Sequence, residues 1–189
     1  MDERYGRWRR IIFIVCICFF IGIITGALSA KTMDAQQGDR LSEYINTLVP
    51  SDGGFIDIFV KHGKYIVAIW LSGFIYSGSI LVLIIIFVMG IFYGFSASYS
   101  AAADGMGYVI ANILPQNAIL IPVYLFTAVW TINYILNKFS NNGPKSRILR
   151  EKRKHLSEHI VILCLCMGLN AVACISEMYA VGLIYGFLN

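Results

Sequence analysis

The chain has 189 residues, of which 58% are hydrophobic and 14% charged, and its mean hydropathy is +0.69. These values exclude a water-soluble globular domain and define an integral membrane protein. The formal net charge is +4, with 15 basic residues against 11 acidic ones, and where the bases fall matters more than the total. They gather at Arg4, Arg7, Arg9 and Arg10; at Lys31, Arg40, Lys61 and Lys64; and between Lys138 and Lys154. From Tyr65 to Asn137 the sole charge is Asp104, a length that only several transmembrane segments can fill, because one span needs about 20 residues.

The bias of Lys and Arg toward cytoplasmic loops sets the orientation. The basic amino terminus, a tail over residues 1–10, is predicted to be cytoplasmic. The loop over residues 31–64 has Asp34, Asp39, Glu43, Asp52 and Asp57 against four bases and is predicted outside. The segment 138–156 carries Lys138, Lys145, Arg147, Arg150, Lys152, Arg153 and Lys154 against Glu151 alone and is predicted inside. An outside-to-inside passage between them needs an odd number of crossings, and its length suits three. The expected fold is thus an all-α integral membrane protein, a single polytopic domain over residues 1–189. It has about five transmembrane helices, one of them broken by proline, and its carboxyl terminus lies outside.

The first span, Ile11 to Leu28, follows an n-region-like cluster of arginines and precedes a passable cleavage site at Ala27-Leu28-Ser29. Its apolar run of about 18 residues exceeds the 7–15 of a signal peptide, so an uncleaved anchor is expected. Gly22 and Gly26 form a G-x-x-x-G, a spacing that lets helix backbones approach closely. The same motif recurs at Gly90–Gly94 and Gly182–Gly186, and it serves either packing within the bundle or a homo-oligomer. In the external loop, Leu41, Tyr44, Ile45 and Leu48 share one helical face behind a suitable N-cap at Asp39. That face either lies on the outer leaflet, covers the bundle or receives a partner.

The second span, Tyr65 to Tyr76, reaches only about 18 Å at 1.5 Å per residue, against a hydrocarbon core of about 30 Å. It therefore begins earlier, near Ile56, or turns back at Ser77, Gly78 and Ser79. The third, Ile80 to Tyr99, is rich in Gly and Ser. The fourth, Tyr108 to Asn137, contains YVIANILPQNAILIP, in which two prolines and the carboxamides Asn112, Gln116 and Asn117 interrupt an apolar run. Pro115 deprives the carbonyl of Ala111 of its helical donor, and Pro122 does the same to Ala118. Either a kinked span packs inside its bundle, or a broken helix exposes polar backbone as a site.

The basic loop ends in His155-Leu-Ser-Glu158-His159, the H-x-x-E-H spelling of inverted zinc peptidases. A third ligand is missing, because the next acid, Glu177, lies about 27 Å further along a continuous helix, so neither a metal nor a cofactor is expected. Glu177 sits among apolar residues of the fifth span, Ile160 to Phe187. It either lies at the outer interface, bonds a carboxamide while protonated, or acts as an intramembrane acid. The cysteines Cys16, Cys18, Cys164, Cys166 and Cys174 all fall in spans and read as apolar filler. There is no Gly-rich phosphate loop, nucleophile elbow or nucleic-acid module, and the basic loop suits anionic lipid heads better than nucleic acid.

ILPQNAILIP (Ile113 to Pro122), the Gly-rich GIFYGFSAS (Gly90 to Ser98), KYIVAIW (Lys64 to Trp70) and ACISEMY (Ala173 to Tyr179) together resemble the stage II sporulation protein M family. The resemblance covers nearly the whole chain. The chain differs from the usual pattern at Met89-Gly90, Gly78-Ser79 and Met178. The resemblance implies a non-enzymatic membrane protein of the mother cell, required for engulfment of the forespore. It further implies that the protein organises two peptidoglycan-degrading partners, the stage II sporulation proteins D and P. The rival from another class is a channel or transporter, or a subunit of one. It would use the broken helix around Pro115 together with Glu177. An intramembrane protease comes third.

Overall fold

The computed structural model describes residues 2–32, 54–103, 114–140 and 156–176, and within them the chain is helical with short turns. The helices are α1 (Asp2–Lys31), α2 (Phe55–Ser72), α3 (Gly78–Ala103), α4 (Leu114–Ser140) and α5 (Leu156–Ser176). Among the described residues four helical stretches, Gly6–Lys31, Gly78–Ala102, Asn117–Lys138 and Leu156–Ser176, are long and apolar enough to cross a membrane. Hydrocarbon offers backbone groups no partners, so helix is the form these apolar runs must take.

α1 continues into the arginine-rich tail, which is helical from Asp2 onward. α2 begins at Phe55, next to the earlier start near Ile56 that its short apolar run called for, and ends at Ser72 rather than Tyr76. Asp57, Lys61 and Lys64 lower its mean hydropathy, yet His62, Gly63, Ile66, Ile69 and Ser72 form one buried face. Its 18 residues make a rod of about 27 Å. The chain then turns over Gly73 to Ser77, and a Cβ at Gly78 would collide with the carbonyl oxygen of Ser72. Only glycine allows so sharp an entry into α3.

Contacts fix the direction of each helix. Along α1 and α3, Cys18 Sγ lies 3.4 Å from Leu83 O, Gly22 faces Gly90, and Ser98 Oγ reaches Ala27 O at 3.4 Å, so the two helices run parallel. α3 and α4 run antiparallel, with Tyr93 bonded to Tyr124 and Gly78 beside Ile135. α2 is parallel to α4, as the pairs His62–Tyr124 and Phe74–Tyr134 show. α5 is antiparallel to both, since Asn170 meets Phe59 while His159 meets Trp70, and Thr127 meets Cys166 while Tyr134 meets His159. Direction thus alternates along the chain through all five helices.

The core between them contains Val15 and Phe19 of α1, Ile66 and Ile69 of α2, and Ile86 and Leu120 of α3 and α4, all nearly or fully buried. Large apolar side chains also cover the outside, among them Phe13, Phe20, Ile84, Phe92 and Val161. Such an exterior suits a lipid solvent and would be a liability in water.

Candidate functional site

The four glycines of the first two G-x-x-x-G motifs meet within the chain. A Cβ on Gly22 would strike Phe87 O, one on Gly26 would strike Ile91 O, and one on Gly94 would strike Ile23 O. On Gly90 it would lie 2.5 Å from Phe19 O and 3.1 Å from the Cα of Gly22. Each helix therefore presses its glycines against carbonyls of the other, close enough for Cα–H groups to face C=O groups across the pair. Gly90 and Gly94 serve packing between α1 and α3. Gly182 and Gly186 lie outside the described residues.

A second set of contacts ties four helices together at mid-bundle. The Tyr124 hydroxyl donates to His62 O at 3.3 Å, lies 3.5 Å from His62 Nδ1, and shares a hydrogen bond with Tyr93. Tyr65 packs edge-on to Tyr124, and Lys64 Nζ sits 5.1 Å from the centre of the Tyr65 ring. One turn along α4, Thr127 Oγ1 lies 2.7 Å from Val123 O and 3.2 Å from Cys166 Sγ. On α5, Asn170 Nδ2 donates to Phe59 O at 3.1 Å. Gly63 makes room for that bond, because a Cβ there would stand 3.4 Å from Asn170 Nδ2 and 3.2 Å from Met167 Cε. A buried carboxamide without a partner costs about 1–3 kcal/mol, so this bond fixes the register of α5 on α2.

A third set closes the opposite end. His159, fully buried, is sandwiched between Trp70 (ring centroids 5.2 Å, planes at 14°) and Tyr134 (4.2 Å, 2°), with Phe74 edge-on at 5.9 Å. Backbone and ring bonds are reciprocal: Trp70 Nε1 donates to His159 O at 2.9 Å, and His159 Nε2 lies 3.2 Å from Trp70 O. The latter distance makes Nε2 the protonated nitrogen. Gly73 is required here too, because a Cβ would stand 2.8 Å from His159 Nε2. Lys138 completes the cluster, its Nζ 3.4 Å from Phe74 O and 5.6 Å and 5.8 Å from the ring centres of Phe74 and Tyr134. The two ends of the basic segment 138–156 are thereby fastened to the same cluster, through Lys138 on α4 and His159 on α5.

The residues singled out in the sequence are distributed unevenly about these ties. Pro115 is the second residue of α4, in the first turn, where a missing N–H removes no intrahelical bond. Gln116 shares that turn. Pro122 is inside the helix and faces outward. Asn117 is buried, and its Oδ1 has no hydrogen-bond partner. The register set by Thr127–Cys166 and Tyr134–His159 brings Ser176, the last described residue of α5, level with Asn117, and Glu177 follows in sequence. Asn112, Glu177, His155 and the loop residues Leu41, Tyr44, Ile45 and Leu48 lie outside the described residues. Among the described residues no three His, Cys, Asp or Glu side chains group as metal ligands.

Sequence reasoning missed His62, Trp70, Tyr124, Tyr134 and Asn170. The signal was a stripe on α4, in which Asn117, Tyr124, Thr127, Thr131, Tyr134 and Lys138 recur at intervals of three, four or seven. The cysteines are also more than filler, since Cys18 and Cys166 bond across helix pairs.

Apolar exteriors, glycine-mediated helix contact and polar groups turned inward together define an α-helical membrane protein. A family model described as Stage II sporulation protein M matches residues 15–181, from within α1 to beyond the last described residue of α5. The chain belongs to this family, and membership implies a role in sporulation. A search of curated proteins found no match, nor did a search of solved structures.

Proposed function

We propose that the protein is a non-enzymatic scaffold of the mother-cell membrane that recruits and organises peptidoglycan-degrading enzymes during engulfment of the forespore. The match across residues 15–181 is the observation that carries this reading. The partners are the stage II sporulation proteins D and P. The packing supports a scaffold in one further respect: Trp70, Tyr124 and Asn170 hold α2, α4 and α5 to one another through side-chain hydrogen bonds. A body so tied presents fixed surfaces at its membrane faces, and fixed surfaces are what a scaffold offers to partners.

The topology proposed with it has five crossings, the amino terminus in the cytoplasm, residues 31–64 outside and the basic segment 138–156 inside. The alternating helix directions support α2 as the fifth crossing, because parallel α1 and α3 require the chain to return between them. On this topology the amphipathic face of Leu41, Tyr44, Ile45 and Leu48 belongs to the side on which cell-wall enzymes act.

One observation favours a second reading. Asn117 Oδ1 and Thr131 Oγ1 are buried on α4 without partners, as in a membrane protein that passes water or an ion along a helix. Proteoliposomes separate the two readings. A scaffold leaves an imposed pH or cation gradient undisturbed, whereas a transport subunit dissipates it in a manner lost in Asn117→Leu. Co-purification of the two hydrolases from sporulating membranes tests the scaffold directly. Its absence under conditions that retain the full-length protein would refute that reading.

A further inference from the structure

We propose that one face of α1 is a binding site for an anionic diacyl phospholipid, with Arg9 and Arg10 on the phosphodiester and an acyl chain along the helix below them. Gly6, Arg9, Arg10, Phe13 and Ile14 line a hollow at the start of the helix. At 100° per residue the same face continues through Ile17, Phe20 and Ile24. Phe13, Phe20 and Ile24 are 66%, 61% and 60% exposed, and Ile17 is 42% exposed. A cationic hollow set directly on a long apolar stripe has the two-part shape of a phospholipid. A soluble anion would use only the first part and a lipid without a phosphate only the second, while phosphatidylcholine has the phosphodiester but carries an ammonium that cancels the net charge two arginines attract.

Charge and glycine placement argue for the headgroup. Arg10 uses Nε on Gly6 O at 3.3 Å, which leaves its remaining donors for a ligand. Arg7 Nε, one residue from Gly6, is buried and lacks a partner. Gly6 itself costs helix stability without serving packing, since a Cβ there would meet nothing within 4 Å. What the missing side chain does provide is the open floor of the hollow. Guanidinium groups suit a phosphodiester because their fork of donors matches two of its oxygens.

The test uses the full-length protein, stripped of lipid in a neutral detergent and retitrated, with bound lipid counted by native mass spectrometry. Phosphatidylglycerol should be retained at one per chain at concentrations where phosphatidylcholine is not, and inorganic phosphate in tenfold excess should not displace it. Arg9→Gln with Arg10→Gln should weaken retention about 30-fold, from the attraction typical of two surface arginines. Gly6→Leu fills the hollow where no packing can be disturbed, so it should weaken retention without lowering the melting temperature. Lys31→Gln, at the other end of α1, should have no effect. The proposal is overturned by displacement with free phosphate or by equal retention of phosphatidylcholine. Unchanged retention in Gly6→Leu, or equal loss in Lys31→Gln, would overturn it as well.

Discussion

Glycine decides which side chains of this bundle can meet. Gly63 admits Asn170 to the backbone of α2, and Gly73 admits the His159 ring beside Trp70. Gly26 shows the same between α1 and α3, because a Cβ there would enter the carbonyl of Ile91. Gly26→Val should destabilise the bundle by about 1–3 kcal/mol, the usual cost of overpacking, and Gly168→Ala, which meets nothing, should not. Unfolding titrations in mixed micelles would measure both, and an equal response from the two positions would contradict the packing described. His159→Ala should cost more than His159→Phe, since alanine leaves the space between Trp70 and Tyr134 empty while phenylalanine still stacks. The emission of Trp70 should report that difference, and identical spectra for the two variants would argue against the sandwich. Glu177, outside the described residues, is expected from the sequence to be protonated and bonded to a carboxamide such as Gln116 or Asn117 or to a freed carbonyl. Glu177→Gln should then sporulate normally and Glu177→Leu should not. Loss of function in a folded, inserted Glu177→Gln protein would show that the ionised form matters.

At the scale of elements, composition made α1, α3, α4 and α5 legible because each has an apolar run long enough to span. α2 was legible only in part. Its charges at Asp57, Lys61 and Lys64 mask a helix whose inner face is fully used, and hydropathy averages over faces, whereas packing does not. The G-x-x-x-G spacings were legible as close-packing surfaces, but which helix each would meet was not. Pairing depends on the three-dimensional order of the helices, and a spacing carries no information about its partner. The two prolines read alike in sequence, yet Pro115 occupies a first turn and Pro122 a helix interior, because only the position of the helix start distinguishes them. Parallel packing of α1 and α3 makes a specific prediction. In a version without the native cysteines, Ala27→Cys and Ser98→Cys should cross-link on oxidation, since Ser98 Oγ reaches Ala27 O at 3.4 Å. Ala27→Cys with Leu83→Cys should not, because Leu83 lies opposite Cys18 at the other end of the pair. Cross-linking of the second pair in preference to the first would require an antiparallel arrangement.

For the whole molecule, the family was legible from LPQN followed by IP and from the order of parts, and the match over residues 15–181 bears this out. Its partners were not legible in the residues themselves, since surfaces that bind other proteins share no spacing or chemistry that a single sequence displays. Topology is testable independently. Single cysteines at Asp52, Asn142 and Asn189 should be labelled from outside, inside and outside respectively, and labelling of Asn189→Cys from the cytoplasm would remove the five-crossing arrangement. The proposed role is to hold cell-wall hydrolases in place without chemistry of the protein's own. It is tested most directly by deleting the gene in a sporulating strain and imaging the engulfing membrane while recovering the two hydrolases from that membrane. Arrested engulfment, with each hydrolase still active in isolation but no longer recovered with the other, is the predicted result. Normal engulfment, or an intact membrane complex of the two hydrolases in the absence of this protein, would contradict it.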